Sequence, residues 1–233
     1  MLYQTNWLDI TYEANFLTPA FDLAKGSVDV LNTLYRHLTP RYTPLSSDMQ
    51  VVGGNLLSDL KARITLFRGL GVLEVTADKF SASFTNAVGN DIETIKDCVA
   101  TGLAAMAEWS PDLSYREESI RLSAFLKIMG GAAARDDFLN NLSGGKAAFQ
   151  PEDFGASTVY SGMKIEFENP EDKWKVGFDV YRSWADSEML VVSCNAIYQP
   201  GAVFATFEDK ATHAGKVVAD FLAKIGLESQ NSK

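Results

Sequence analysis

The residues of this chain whose types and spacing could do chemistry are few, and each fails a specific requirement. Leu142-Ser143-Gly144-Gly145-Lys146 ends in the Gly-Lys pair of a phosphate-binding loop. Such a loop also needs a glycine five residues before its last glycine, to shape the anion nest, and a Ser or Thr after the lysine, to hold magnesium. Those positions are Asn140 and Ala147, so the segment reads as a flexible turn. Ser161-Gly162-Met163-Lys164 has the Ser-x-x-Lys spacing of acyl-transfer enzymes, but that spacing brings the two side chains together only on a helix. Here it falls in a strand-like stretch, where residues three apart face opposite sides.

A Ser-His-Asp or Cys-His site would have to recruit His37 or His213, the two histidines, and zinc would need four closely spaced ligands from two His and two Cys. Neither requirement is met. Glu166, Glu168, Glu171 and Asp172 offer carboxylates for acid–base work or a weak divalent-cation site, although charge of this kind also marks the solvated side of an outer strand. No catalytic, metal-binding or cofactor-binding residue is therefore assigned, and no cofactor is expected.

Recognition is better represented. Trp174, Phe178, Tyr181 and Trp184 lie close to Lys173 and Arg182, the combination that anchors interfaces. Because Trp174, Val176, Phe178 and Val180 alternate with Lys175, Gly177, Asp179 and Tyr181, most of this apolar weight belongs to a core face, which leaves Trp184 as the exposed anchor with Arg182 beside it. Phe149 and Phe154 sit in a Gly-rich loop and either meet a partner or tuck beneath the loop as a satellite cluster. Trp184, Arg182, Phe149 and Phe154 are the expected partner-binding residues.

The bulk properties narrow the class. With 30 acidic against 21 basic residues and a formal charge of −9, the chain lacks the clustered Lys and Arg that nucleic-acid binding rests on. The first residues have neither the basic nor the apolar region of a signal peptide, and nothing approaches the roughly 18 consecutive apolar residues of a membrane span. A cytoplasmic location is expected, with Cys98 in a helix and Cys194 in a strand as small core residues in a reducing compartment.

Periodicity supplies the elements that must position these residues. Leu8, Ile10 and Tyr12 alternate with Asp9, Thr11 and Glu13 as a half-buried strand requires, within a segment from Trp7 to Phe16. Ser27 is the expected N-cap of a helix to Leu38 that carries Val30, Leu31, Leu34 and Leu38 on one stripe and is ended by Pro40 and Pro44. The stretch from Arg41 to Asn55 reads as a long loop. Three strands follow between Leu60 and Asn86, then a helix from Asp91, its cap, to Trp109. The pattern then restarts: a central strand from Tyr115 to Met129, a short helix from Arg135 to Leu142, three strands between Thr158 and Tyr198, and a helix from Glu208 to Ile225. The fold class is thus α+β, with pseudo-duplicated strand–helix–three strands–helix units forming a large antiparallel sheet with helices on one face. One domain is expected, built of similar halves 1–111 and 112–227, with a frayed tail at 228–233.

The phrase Asp9-Ile10-Thr11-Tyr12-Glu13-Ala14-Asn15-Phe16, followed by a helix running to His37-Leu38-Thr39-Pro40-Arg41-Tyr42, resembles the opening of a sparsely characterised bacterial family of proteins of about this length. Leu113 to Met129 is similar to that family's central strand, with Ser123-Ala124-Phe125-Leu126 in place of its usual Arg-Tyr-Ile-Asn-like phrase. The resemblance implies an order of elements over most of the chain and no catalytic string.

The resulting expectation is a non-enzymatic binding or assembly protein acting through protein contacts, by partner binding or self-association at the uncovered face or the sheet edges. The alternatives are a small-molecule or lipid-binding domain with a cavity between sheet and long helix, or a chaperone-like holder of extended peptides.

Overall fold

Alternation of apolar and polar side chains builds the sheet. In β1 (Leu2–Phe16), Ile10, Tyr12, Ala14 and Phe16 are buried while Thr11, Glu13 and Asn15 take the other face. The computed structural model describes residues 1–54, 56–142, 162–183, 186 and 188–230. Within them β1 is followed by β2 (Met49–Val52), β3 (Lys61–Leu66), β4 (Gly71–Thr76), β5 (Lys79–Ala87), β6 (Tyr115–Ile128), β7 (Gly162–Asn169), β8 (Trp174–Arg182), β9 (Met189–Tyr198) and β10 (Glu228–Ser229). The helices are α1 (Asp22–Tyr42), α2 (Ile92–Trp109), α3 (Gly131–Leu142) and α4 (Phe207–Lys224).

These strands form one sheet in the order β2-β3-β4-β5-β1-β6-β9-β8-β7, every neighbouring pair antiparallel, with β10 joining the start of β1 in parallel. The fold is α+β, as its element pattern requires. The first run is strand, helix, four strands, helix and the second is strand, helix, three strands, helix, so edge strand β2 departs from the expected repeat; about the β1–β6 pair, β1, β5, β4, β3, β2 run outward on one side and β6, β9, β8, β7 on the other. That pair runs from Tyr3 opposite Ile128 to Phe16 opposite Tyr115, with register shifts between Thr5 and Trp7 and between Asn15 and Phe16. Buried residues from both halves belong to a single core cluster.

The uncovered face is polar along its middle. The row Ser83–Thr11–Arg121–Asn195 crosses β5, β1, β6 and β9 opposite the core side, and the row Ser81–Glu13–Ser119 crosses β5, β1 and β6 and meets the half-buried Ile197 on β9. An exception is Trp7, which stacks on Phe125 at 4.8 Å and accounts for the broken alternation of β6.

Several local expectations give way to tertiary contacts. Pro40 does not end α1; it sits inside it, and the helix stops at Thr43, which takes φ 42°. The last turn is held because Arg41 and Tyr42 both bond the Asp97 carboxylate on α2. The helix also begins before Ser27, at Asp22, with non-helical geometry at Gly26 and no side-chain cap. Asp91 does not cap α2: its carboxylate instead accepts the Val88 backbone N–H at 2.9 Å, closing the preceding tight turn. The long loop contains edge strand β2, whose Val51 and Val52 are exposed and so leave no burial pattern. The tail is not wholly frayed, since Glu228 and Ser229 pair with Leu2 and Tyr3.

Close packing of α2 on the sheet depends on Gly102. A Cβ there would lie 2.7 Å from the Phe80 ring and 2.8 Å from Leu73 Cδ2, both buried. Gly102→Ala is therefore expected to destabilise the protein by about 1–3 kcal/mol in urea unfolding, despite the better helix propensity of alanine.

Candidate functional site

The helices that close the two halves, α2 and α4, pack against different strands. α2 sets Gly102 against Phe80 of β5 and Leu73 of β4, whereas α4 stacks Phe221 on Phe178 of β8 at 3.9 Å, nearly coplanar. Between them, over the β1–β6 pair, lies a cavity of about 380 Å³, within the range of small-ligand sites. Its floor is made of directly opposed pairs, Leu8 with Ala124, Ile10 with Leu122 and Tyr12 with Ile120, together with Val192 of β9. Ile92, Ile95, Lys96 and Val99 of α2 form one wall; Phe207, Ala211, Thr212, Gly215, Lys216 and Val218 of α4 form the other. Thr212, Gly215 and Lys216 are exposed and mark the mouth.

The space persists because α4 is pinned near both ends and carries small residues between. Phe221 holds the C-terminal end. Near the N-terminal end, the Lys210 ammonium pairs with Glu118 of β6, and the same carboxylate accepts the Tyr12 hydroxyl at 2.5 Å. The Tyr198 hydroxyl donates to the Lys210 carbonyl at 2.9 Å. Thr206 and Asp209 complete a reciprocal cap that starts the helix. Between these anchors the cavity side presents Ala211 and Gly215, too short to reach the floor.

Gly215 has no packing reason to be glycine. A Cβ there would meet nothing within 4 Å, in contrast to Gly102. A mid-helix glycine costs about 1 kcal/mol relative to alanine. The residue at the open mouth is thus one that helix propensity disfavours.

At the Tyr12 end of the floor, burial and then the neighbouring Glu118 charge drive the Tyr12 phenol well above its ordinary range, so it stays a hydrogen-bond donor. Lys210 is 6% exposed, and Glu118 is the ion-pair partner it has among the described residues. Removing the charge from one member leaves the other buried and unpaired. Glu118→Gln is expected to lower unfolding stability by about 3–5 kcal/mol, with partial recovery when Lys210→Met is added, as measured by urea titration.

His213, on the same helix, is enclosed by rings: Phe204 stacks on it at 4.2 Å, Trp174 meets it edge-on at 4.9 Å, and its Nδ1 lies 3.0 Å from the Tyr198 hydroxyl. Burial, then the charge of Lys216, holds it below the ordinary histidine value of 6.5. The unfolded chain therefore takes up this proton first as pH falls, so the stability His213 contributes is present above that value and lost below it. The stability advantage over His213→Gln should shrink as urea unfolding is repeated from about pH 7.5 down to about pH 5.

Of the residues expected to bind a partner, Arg182 is half-buried at the end of β8, paired with Leu190, and does not line the cavity; Trp184, Phe149 and Phe154 lie outside the described residues. The phosphate-loop fragment is outside them too. Cys98 and Cys194 are buried free thiols, each pushed up to about 12 by burial, which suits core residues and not nucleophiles. His37 sits on α1 and bonds Glu108 of α2 at 2.7 Å. Glu166 lies on edge strand β7 and pairs with Lys175 at 2.8 Å, a solvated pair. Among the described residues no cluster of His, Cys, Asp and Glu could hold a metal, and no helix is long and apolar enough to cross a membrane.

The cavity residues were visible to sequence reasoning only as core positions. Leu8, Ile10, Tyr12, Ile120, Leu122, Ala211 and Val218 follow the expected stripes, while Lys96, Lys210, Lys216 and Glu118 carried no local signal. No family model matches the chain, and no curated protein matches it.

Proposed function

We propose that this protein binds a small, largely apolar molecule between its sheet and helices α2 and α4, acting as a carrier or sensor in the cytoplasm. The observation that carries this reading is the apolar cavity of about 380 Å³ over the β1–β6 pair, open beside a helix glycine that packing does not require. Apolar side chains facing one another across a space forfeit dispersion contacts, so such a space weighs against stability unless a ligand fills it. Descent of the two halves from one duplicated unit accounts for its position, between the closing helices of the repeats.

Assembly through protein contacts is the second reading. It draws on edge strand β7, where Ile165 and Phe167 are 36% and 45% exposed, with Arg182, Trp184, Phe149 and Phe154 as contact residues. The polar middle of the uncovered face gives it less support, because such a surface needs no protein cover.

Binding is tested with Nile red, a neutral apolar dye whose fluorescence rises on leaving water. Saturable enhancement is expected, and Gly215→Phe, which fits the open space at the mouth, should weaken it by about tenfold or more while the protein stays folded by circular dichroism. Absence of saturable enhancement, or unchanged binding by the variant, would remove the proposal.

A further inference from the structure

The charge on the cavity walls selects among ligands. In a chain with more acidic than basic residues, the charged side chains lining the cavity among the described residues are Lys96 and Lys216, with no carboxylate in that lining. They stand on opposite walls, one on α2 and one on α4. A lysine in an apolar wall covers it with its methylene stem and keeps the ammonium at the wet end. Lys216 is exposed and makes no ion pair among the described residues; Lys96 bonds Glu93 at 2.8 Å, but Glu93 is 79% exposed, and a surface pair of this kind yields readily to a competing anion. Thr212, one turn before Lys216, adds a hydroxyl at the mouth.

The inner end offers no such group. The floor is Leu8, Ile10, Leu122, Ala124 and Val192, and the one hydroxyl there, on Tyr12, is committed to Glu118. A molecule lying in this cavity meets donors and positive charge at its outer end and hydrocarbon along the rest.

Resting on the reading of the cavity as a ligand site, we propose that the ligand class is a single-headed anionic amphiphile, such as a chain carboxylate, with its head between Lys96 and Lys216 and its tail over the β1–β6 pair. A cationic head would meet two like charges. The cationic half of a zwitterion would meet the same two lysines.

The test is competition against Nile red by three probes of equal chain length: dodecanoate, dodecan-1-ol and dodecylammonium, each below its micelle concentration. Dodecanoate should displace the dye at about tenfold lower concentration than the alcohol, as one charge-assisted hydrogen bond allows, with dodecylammonium weakest. Lys216→Met and Lys96→Met should erode the preference for carboxylate over alcohol, the double variant most. Raising salt should narrow the gap in the parent protein. If the alcohol matches dodecanoate, or the lysine variants keep the parent's preference, the anionic class falls while the cavity reading stands. If Nile red binds and no chain probe displaces it, the amphiphile is wrong. If the dye does not bind, both proposals fail together.

Discussion

The pairing of β1 with β6 is the constraint on which the rest of this structure depends. It joins the leading strands of the two halves, β1 and β6, along most of their length, so the halves share one sheet and one core. Antiparallel pairing of two long central strands leaves each half's remaining strands only the outward direction in which to add. The mirrored order β5, β4, β3 against β9, β8, β7 is the consequence. Because the core-side residues of β1 and β6 oppose one another in register, they also provide a flat apolar floor at the centre of the molecule.

How the helices meet that floor decides whether it is core or cavity. α2 is drawn towards β4 and β5 by a glycine contact that admits no Cβ, and α4 towards β8 and β9 by the Phe221–Phe178 stack. The buried Tyr12–Glu118–Lys210 group fixes the other end of α4 to both central strands at once. A buried ion pair contributes little net stability over an apolar replacement, but its geometry is demanding, and here it sets where the helix lies. With the ends fixed, the short side chains of Ala211 and Gly215 cannot close the middle.

Electrostatics separates the inside of this site from the outside of the protein. A net charge of −9 favours a solvated surface, and the middle of the uncovered sheet face carries Ser, Thr and Asn with Arg121 and the Glu13–Lys79 pair. Against that background two lysines at one apolar mouth form a local exception. It is this contrast, and not the overall charge, that speaks to recognition.

The elements were legible in the sequence because their signals are local. Period-two alternation marked β1 and β8, and the three-and-four spacing of Val30, Leu31, Leu34 and Leu38 marked α1. Where neighbours override local preference, the reading slipped: Pro40 stays helical because Arg41 and Tyr42 are tied to Asp97, and β2 is a strand through pairing alone. The site was the least legible part. Ala211 and Gly215 on an apolar stripe mean either close packing or empty space, and the choice rests on the distance between helix and sheet, which residues as distant as Glu118, Phe178 and Lys210 set together. By itself the sequence determined which faces are apolar and which elements form. Only the tertiary structure decided that one apolar face is left partly unfilled and that Lys96 and Lys216, 120 positions apart in the chain, flank the same opening. Periodicity reports the burial of each element separately, whereas a cavity is a property of the gap between them.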